Sequence, residues 1–170
     1  MTMLDKRRMD QRDCILRYPF WLDSVLIEWT DDGYEIVLFS FPAAYGVQQW
    51  IIHEVCCEIV TAFAGTSPLL DLGAGTIPLD TDGDGATVTA VDLDEYMKQG
   101  DITQGTAGLY WAASSDWLTA AAANAGAARL ITCADATVPV VYVTMSGTDL
   151  TAGQAVFHMQ VSVVPFEMSG

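Results

Sequence analysis

The sequence predicts an all-β protein: one antiparallel β-sandwich domain over residues 21–170, preceded by an extended, basic N-terminal arm over residues 1–20. Three observations carry this expectation. Short runs rich in β-branched and aromatic residues follow one another along the chain, separated by Gly, Asp, Thr and Pro turns. Strand-like runs do not alternate with long helical periods, which argues against a parallel α/β sheet. The 170 residues are 51% hydrophobic and only 17% charged, a balance that builds one core and needs no disulfide staples.

The elements follow in order. Ser24–Thr30 and Tyr34–Phe41 flank Asp31-Asp32-Gly33, and Asp-Gly between two such runs predicts a β-hairpin. Trp50–Thr61 is the longest strand candidate; its period of two puts Ile51, His53, Val55, Cys57 and Ile59 on one face and Glu54 and Glu58 on the other. His53 then reads as a satisfied, half-buried histidine. Ala86–Val91, Arg129–Cys133 and Val138–Met145 are further strands, with Pro139 near the start of its run, where a missing ladder donor is tolerated. Ser146-Gly147-Thr148-Asp149 predicts a turn. In the closing run, Phe157, Met159, Val161 and Val163 alternate with His158, Gln160 and Ser162. The first set reads as inward, and His158 as surface. The Ala-rich stretch Asp116–Gly126 reads either as a short helix or as a loop.

The formal charge of −15 is unevenly spread. Lys6, Arg7, Arg8, Arg12 and Arg17 against Asp5, Asp10 and Asp13 leave residues 1–17 at +2. Residues 18–170 set Lys98 and Arg129 against nineteen acids and carry −17. Such a body is repelled by a phosphate backbone, so no nucleic-acid partner is expected. The basic arm is suited to reaching an acidic neighbour. No run approaches the roughly 20 apolar residues of a membrane span, and none follows the basic start as a secretory signal requires. The expectation is a protein made and kept in a cytoplasm, or released by lysis, with no membrane partner.

Cys14, Cys56, Cys57 and Cys133 form no C-x-x-C pair, so zinc and thioredoxin chemistry lack their usual spacing. They read as buried free thiols; a Cys–His nucleophilic pair with His53 or His158 is the functional alternative. Trp21, Trp29, Trp50, Trp111 and Trp117 read as core by default, with interface anchors as the alternative.

Two motifs resemble ligand sites. Leu69–Thr76, with its Gly73-Ala74-Gly75, and Val91-Asp92-Leu93-Asp94 resemble the nucleotide-site motifs of S-adenosylmethionine-dependent methyltransferases. The turn-forming Thr76–Gly85 that follows leaves no room for the helix which such a glycine turn must open. Asp80-Thr81-Asp82-Gly83-Asp84-Gly85 matches the first half of a calcium loop, and Asp80, Asp82 and Asp84 are candidate ligands for Ca2+. Position twelve of that loop is Val91 in place of a bidentate glutamate, and an acidic hairpin loop explains the same residues. No G-x-S-x-G, P-loop or H-E-x-x-H is present, so the chain reads as non-enzymatic.

Phe41-Pro42-Ala43, Ile51–Val55 running into Thr61-Ala62-Phe63, Leu70–Gly73, Asp82–Gly85, Val91-Asp92-Leu93, Ala136–Val143 and the final alternating strand follow a recognisable order. Over about Phe41 to Phe166 that order resembles the small β-sandwich virion proteins of tailed phages, in particular capsid decoration or cement proteins. The resemblance implies a jelly-roll-like sandwich, location in the virion, and docking on the major capsid protein or other virion proteins, often as a homotrimer. Head–tail connectors and tail components are the neighbouring alternatives. A calcium-stabilised module binding glycans or protein is a different class, motivated by the aspartate loop. Lys6, Arg7, Arg8, Arg12 and Arg17 are the residues expected to contact the capsid.

Overall fold

The computed structural model describes residues 19–31, 33–41, 47–78, 87–98, 102–112, 130–132 and 137–165. The strands are β1 (Phe20–Asp23), β2 (Ile27–Glu28), β3 (Glu35–Ser40), β4 (Val47–Pro78), β5 (Thr89–Met97), β6 (Gly108–Trp111), β7 (Leu130–Thr132) and β8 (Thr137–Pro165), with a 3₁₀ turn at Trp29–Asp31. The described chain is all-β and its strands pair antiparallel within one sheet. The expected fold class holds.

The scaffold is the ribbon formed by β4 and β8, of 32 and 29 residues. At about 3.3 Å per residue a straight strand of either length would run to about 100 Å. The ribbon bends instead. Between Ala64↔Ala152 and Thr66↔Thr148 a single β4 residue stands opposite three on β8. Gly65 (φ 146°), Ser67 (φ 50°) and Asp149 (φ 53°) take the left-handed conformations that such a corner demands. At Gly65 a Cβ would also sit only 3.0 Å from the Asp149 carbonyl oxygen.

The corner divides the ribbon into two arms. In the first, residues 47–61 pair with 154–165; β1 and β2 extend the β8 edge, and β6 and β7 extend the β4 edge. In the second, residues 69–78 pair with 137–146, flanked by β3 and β5. Ile52, Val55, Ile59, Phe157, Met159 and Val161 of the first arm and Leu70, Leu72, Val141, Val143 and Met145 of the second belong to one buried cluster. The sheet is therefore folded over its own core as a sandwich, each fully buried side chain of this size contributing about 1.5–3 kcal/mol. A smaller cluster of Ile77, Val88, Val138, Val140 and Tyr142 covers the opposite face of the second arm.

Several local expectations change. The run around Asp31-Asp32-Gly33 does not close a hairpin: β2 and β3 both pair with β8, in the same direction. The 3₁₀ turn, held by Glu28 N–H donating to Asp31 Oδ2 at 2.8 Å, is a jog in one edge strand. Residues 146–149 likewise are a bend inside β8 and not a turn between strands. A bulge between Ile52 and Glu54 shifts the phase of β4, so Ile52 is buried in place of Ile51. His53 stands at that bulge, half-buried and hydrogen-bonded to the Ser162 hydroxyl at 2.8 Å. Ser162, expected outside, is buried with it.

The glycine motif is also resolved. Leu69–Pro78 is strand throughout, and Gly75 pairs with both Val140 and Ala90. A Cβ there would lie 2.5 Å from Val88 Cγ1 and 3.1 Å from the Thr89 carbonyl oxygen. The glycine admits a neighbouring strand, not a nucleotide, and among the described residues no helix follows it; the methyltransferase likeness is overturned.

Candidate functional site

The outer face of the first arm carries the site. Registers place Asp23 opposite His158, His158 opposite Cys56, and Cys56 opposite Trp111, a single row across β1, β8, β4 and β6. One pleat further along, Glu58 faces Leu109. With Trp21, these residues line an open groove of about 430 Å³. Alternation explains the placement: on β4, Val55, Cys57 and Ile59 point into the core, which sends Glu54, Cys56 and Glu58 outward.

His158 is the polar centre. Its Nδ1 lies 2.7 Å from Asp23 Oδ1, and since a carboxylate only accepts, Nδ1 carries the proton. Nε2 lies 3.7 Å from Glu58 Oε2, within ion-pair range when the imidazole is charged but too long for a hydrogen bond. The side chain is thus half-buried and engaged on both sides, where the sequence had placed a surface histidine.

Cys56 opposite His158 brings together the residues of a cysteine–histidine nucleophile, and the electrostatics oppose that chemistry. Burial, then the charges of Glu54, Asp23 and Glu58, push the Cys56 thiol up to about 11. Burial foremost, followed by Cys56 and Glu58, pushes Cys57 up to about 12. A reactive cysteine needs the opposite, a thiolate stabilised by positive surroundings. Both are buried free thiols, in line with the sequence reading; Cys14 and Cys133 lie outside the described residues.

The aromatic wall is the other half of the site. Trp21 and Trp111 meet edge to face with centroids 6.2 Å apart and planes at 69°. They remain 42% and 51% exposed, and Leu109 beside them 52%. Trp29 is also exposed, while Trp50 is half-buried between Phe20 and Phe41. The core default therefore fails for three tryptophans, because period-two patterning gives a residue's face but not which face is covered. Trp117 lies outside the described residues.

The other candidates are not brought here by the described structure. Lys6, Arg7, Arg8, Arg12 and Arg17 lie outside the described residues, as do Asp80, Asp82 and Asp84 and the Ala-rich segment. The flanks of the aspartate loop are consecutive antiparallel strands, with Thr76 opposite Thr89. Among the described residues no three His, Cys, Asp or Glu side chains gather as a metal site, and no helix is long and apolar enough to cross a membrane. Sequence reasoning missed the groove; the clustering of Trp21 with Asp23 and of Leu109 with Trp111 at period-two spacing was its only trace.

No family model and no curated protein matches the chain. Among solved structures, it is similar to a chain in the structure of infectious bursal disease virus, Gx strain, at 17% identity and a TM-score of 0.39, over 89% of this chain and 33% of that one. It is similar also to a chain of desmodium yellow mottle tymovirus, at 9% identity and a TM-score of 0.25, over 90% and 86% of the two chains. The protein thus spans about a third of the bursal disease virus chain. Overlaps this loose add nothing to the strand pairing, on which the fold stands.

Proposed function

We propose that this chain is a non-enzymatic structural protein of a virion, and within that class a subunit that decorates and stiffens the capsid lattice of a tailed phage. The observation that carries the reading is the exposed Trp21–Leu109–Trp111 face on a rigid antiparallel sandwich. Buried aromatic anchors dominate protein–protein interfaces, and a contiguous exposed apolar patch marks such a contact. The raised thiols of Cys56 and Cys57 support the non-enzymatic part. The sequence resemblance to phage decoration proteins supplies the setting.

Charge supports the location. A body of −17 is repelled by packaged DNA and suits the outside of a shell. The basic residues Lys6, Arg7, Arg8, Arg12 and Arg17 are the candidates for gripping an acidic neighbour, an attraction that orients more than it binds. Many weak contacts repeated over a lattice then add stability that no single contact supplies.

Co-sedimentation of the full-length protein with stripped capsids of the phage encoding it tests the reading. Saturable binding at a fixed ratio to the major shell subunit is expected, and light scattering of the free protein would report a trimer or another closed oligomer. Absence of binding to intact heads would overturn decoration and favour a connector or tail component.

A further inference from the structure

The groove of the first arm has the chemistry of a guanidinium receptor. Two exposed indoles, 6.2 Å apart and edge to face, offer π surface on which an arginine stacks. Around them stand the carboxylates of Asp23 and Glu58, whose side chains are 68% and 53% exposed and so present oxygens to solvent. Glu54 adds a third negative charge, close enough to act on Cys56 together with those two. A carboxylate beside an aromatic face is the pairing that arginine satisfies best, by a bidentate hydrogen bond and a stacked plane at once.

The chain contains its own matching partner. Five of its seven basic residues, four of them arginines, lie between residues 6 and 17. Among the described residues, Lys98 is the only lysine or arginine. We propose that the groove takes the Lys6–Arg17 segment of a second copy of this chain, so that copies are joined arm to groove. The proposal rests on the structural-protein reading above and names the acidic neighbour that the basic segment engages. It also accounts for the exposed tryptophan pair that walls the groove.

Length lets the segment reach a second copy. Extended, the twelve residues from Lys6 to Arg17 span up to about 40 Å. That distance is enough to cross to a neighbouring molecule. The segment enters the sandwich through β1, whose Trp21 and Asp23 already line the groove. A chain whose own segment filled its groove would remain monomeric. Each copy supplies one segment and one groove, so a reciprocated contact gives a symmetric pair and one passed from copy to copy gives a ring or an open filament.

Sedimentation equilibrium of the full-length protein is the test, at low and high salt and with four proteins. These are the unchanged chain, Trp21→Ala with Trp111→Ala, the triple Arg7→Gln, Arg8→Gln, Arg12→Gln, and the combination of both sets. The unchanged protein is expected to self-associate, more weakly as salt rises. Each set of substitutions should weaken association by about tenfold or more, and the combination no further, because both remove one contact. A synthetic peptide of residues 1–18, added to the unchanged protein, should compete and quench or shift tryptophan emission. Circular dichroism confirms that each variant is folded. A monomeric unchanged protein, or association indifferent to the tryptophans, would overturn the proposal. The two readings fail separately. Capsid binding that survives loss of Trp21 and Trp111, in a protein whose self-association ignores them, sinks this one alone. Arm-to-groove association without any capsid binding sinks the decoration reading alone.

Discussion

Asp23 and His158 face each other on β1 and β8, and the carboxylate Oδ1 holds the imidazole Nδ1 at 2.7 Å. The pair fixes the tautomer and orients the ring over the sheet, and it ties an edge strand of four residues to the central ribbon. Because the Asp23 carboxylate is largely open to water, the pair's energetic worth is small and its structural worth is orientation.

Replacing Asp23 by Asn, His158 by Asn, and both together gives a double-mutant cycle. The coupling measured by urea unfolding is expected at about 0–1 kcal/mol, as for exposed ion pairs. A coupling of several kcal/mol would mean that the pair is far less solvated than its geometry implies.

The thiols make a pH prediction. Raised from 9.0 to about 11 and about 12, Cys56 and Cys57 hold their protons in the folded state at pH values where the unfolded chain has lost them. Stability linked to them is complete below about pH 9 and falls as pH rises through the folded values near 11 to 12. With Cys14 and Cys133 replaced by Ser, native protein at pH 7.5 should resist iodoacetamide and react at two sites once unfolded in urea. Rapid native labelling of Cys56 would reopen the nucleophile reading.

Gly75→Ala places a methyl group against Val88 and the Thr89 carbonyl oxygen. A loss of about 1–3 kcal/mol in unfolding free energy is expected from this overpacking. S-adenosylmethionine should leave the melting temperature of the unchanged protein where it was; a ligand-dependent rise would contradict the strand assignment of the glycine motif.

Phe157 is fully buried in the cluster shared by the two arms. Phe157→Ala is expected to cost about 3–5 kcal/mol in chemical unfolding. Trp111→Ala, by contrast, removes a half-exposed ring and should cost much less while weakening association. Equal destabilisation by the two would indicate that Trp111 is structural.

Much of the sandwich is legible in the sequence, because alternation reports burial directly. Phe157, Met159, Val161 and Val163 read as inward and are buried, and the 130–132 and 138–145 runs form strands. The Asp31–Gly33 region misled because turn chemistry says that a chain can bend, not which strand the next run joins. The bulge at His53 left no mark in the residue pattern, yet it exchanged Ile51 for Ile52 in the core.

The sequence by itself determined the fold class, the faces of the closing strand, the separation of a basic segment from an acidic body, and the absence of a ready-made catalytic motif. These are properties of composition and of the period-two backbone. Only the tertiary structure decided that β4 and β8 run unbroken around one corner, that Gly75 makes room for a strand, and that Trp21, Asp23, Cys56, Glu58, Leu109, Trp111 and His158 meet in one groove. The physical reason is register: alternation along a strand tells which side a residue faces, while its cross-strand neighbours depend on how four distant segments slide against one another before their core locks them in place.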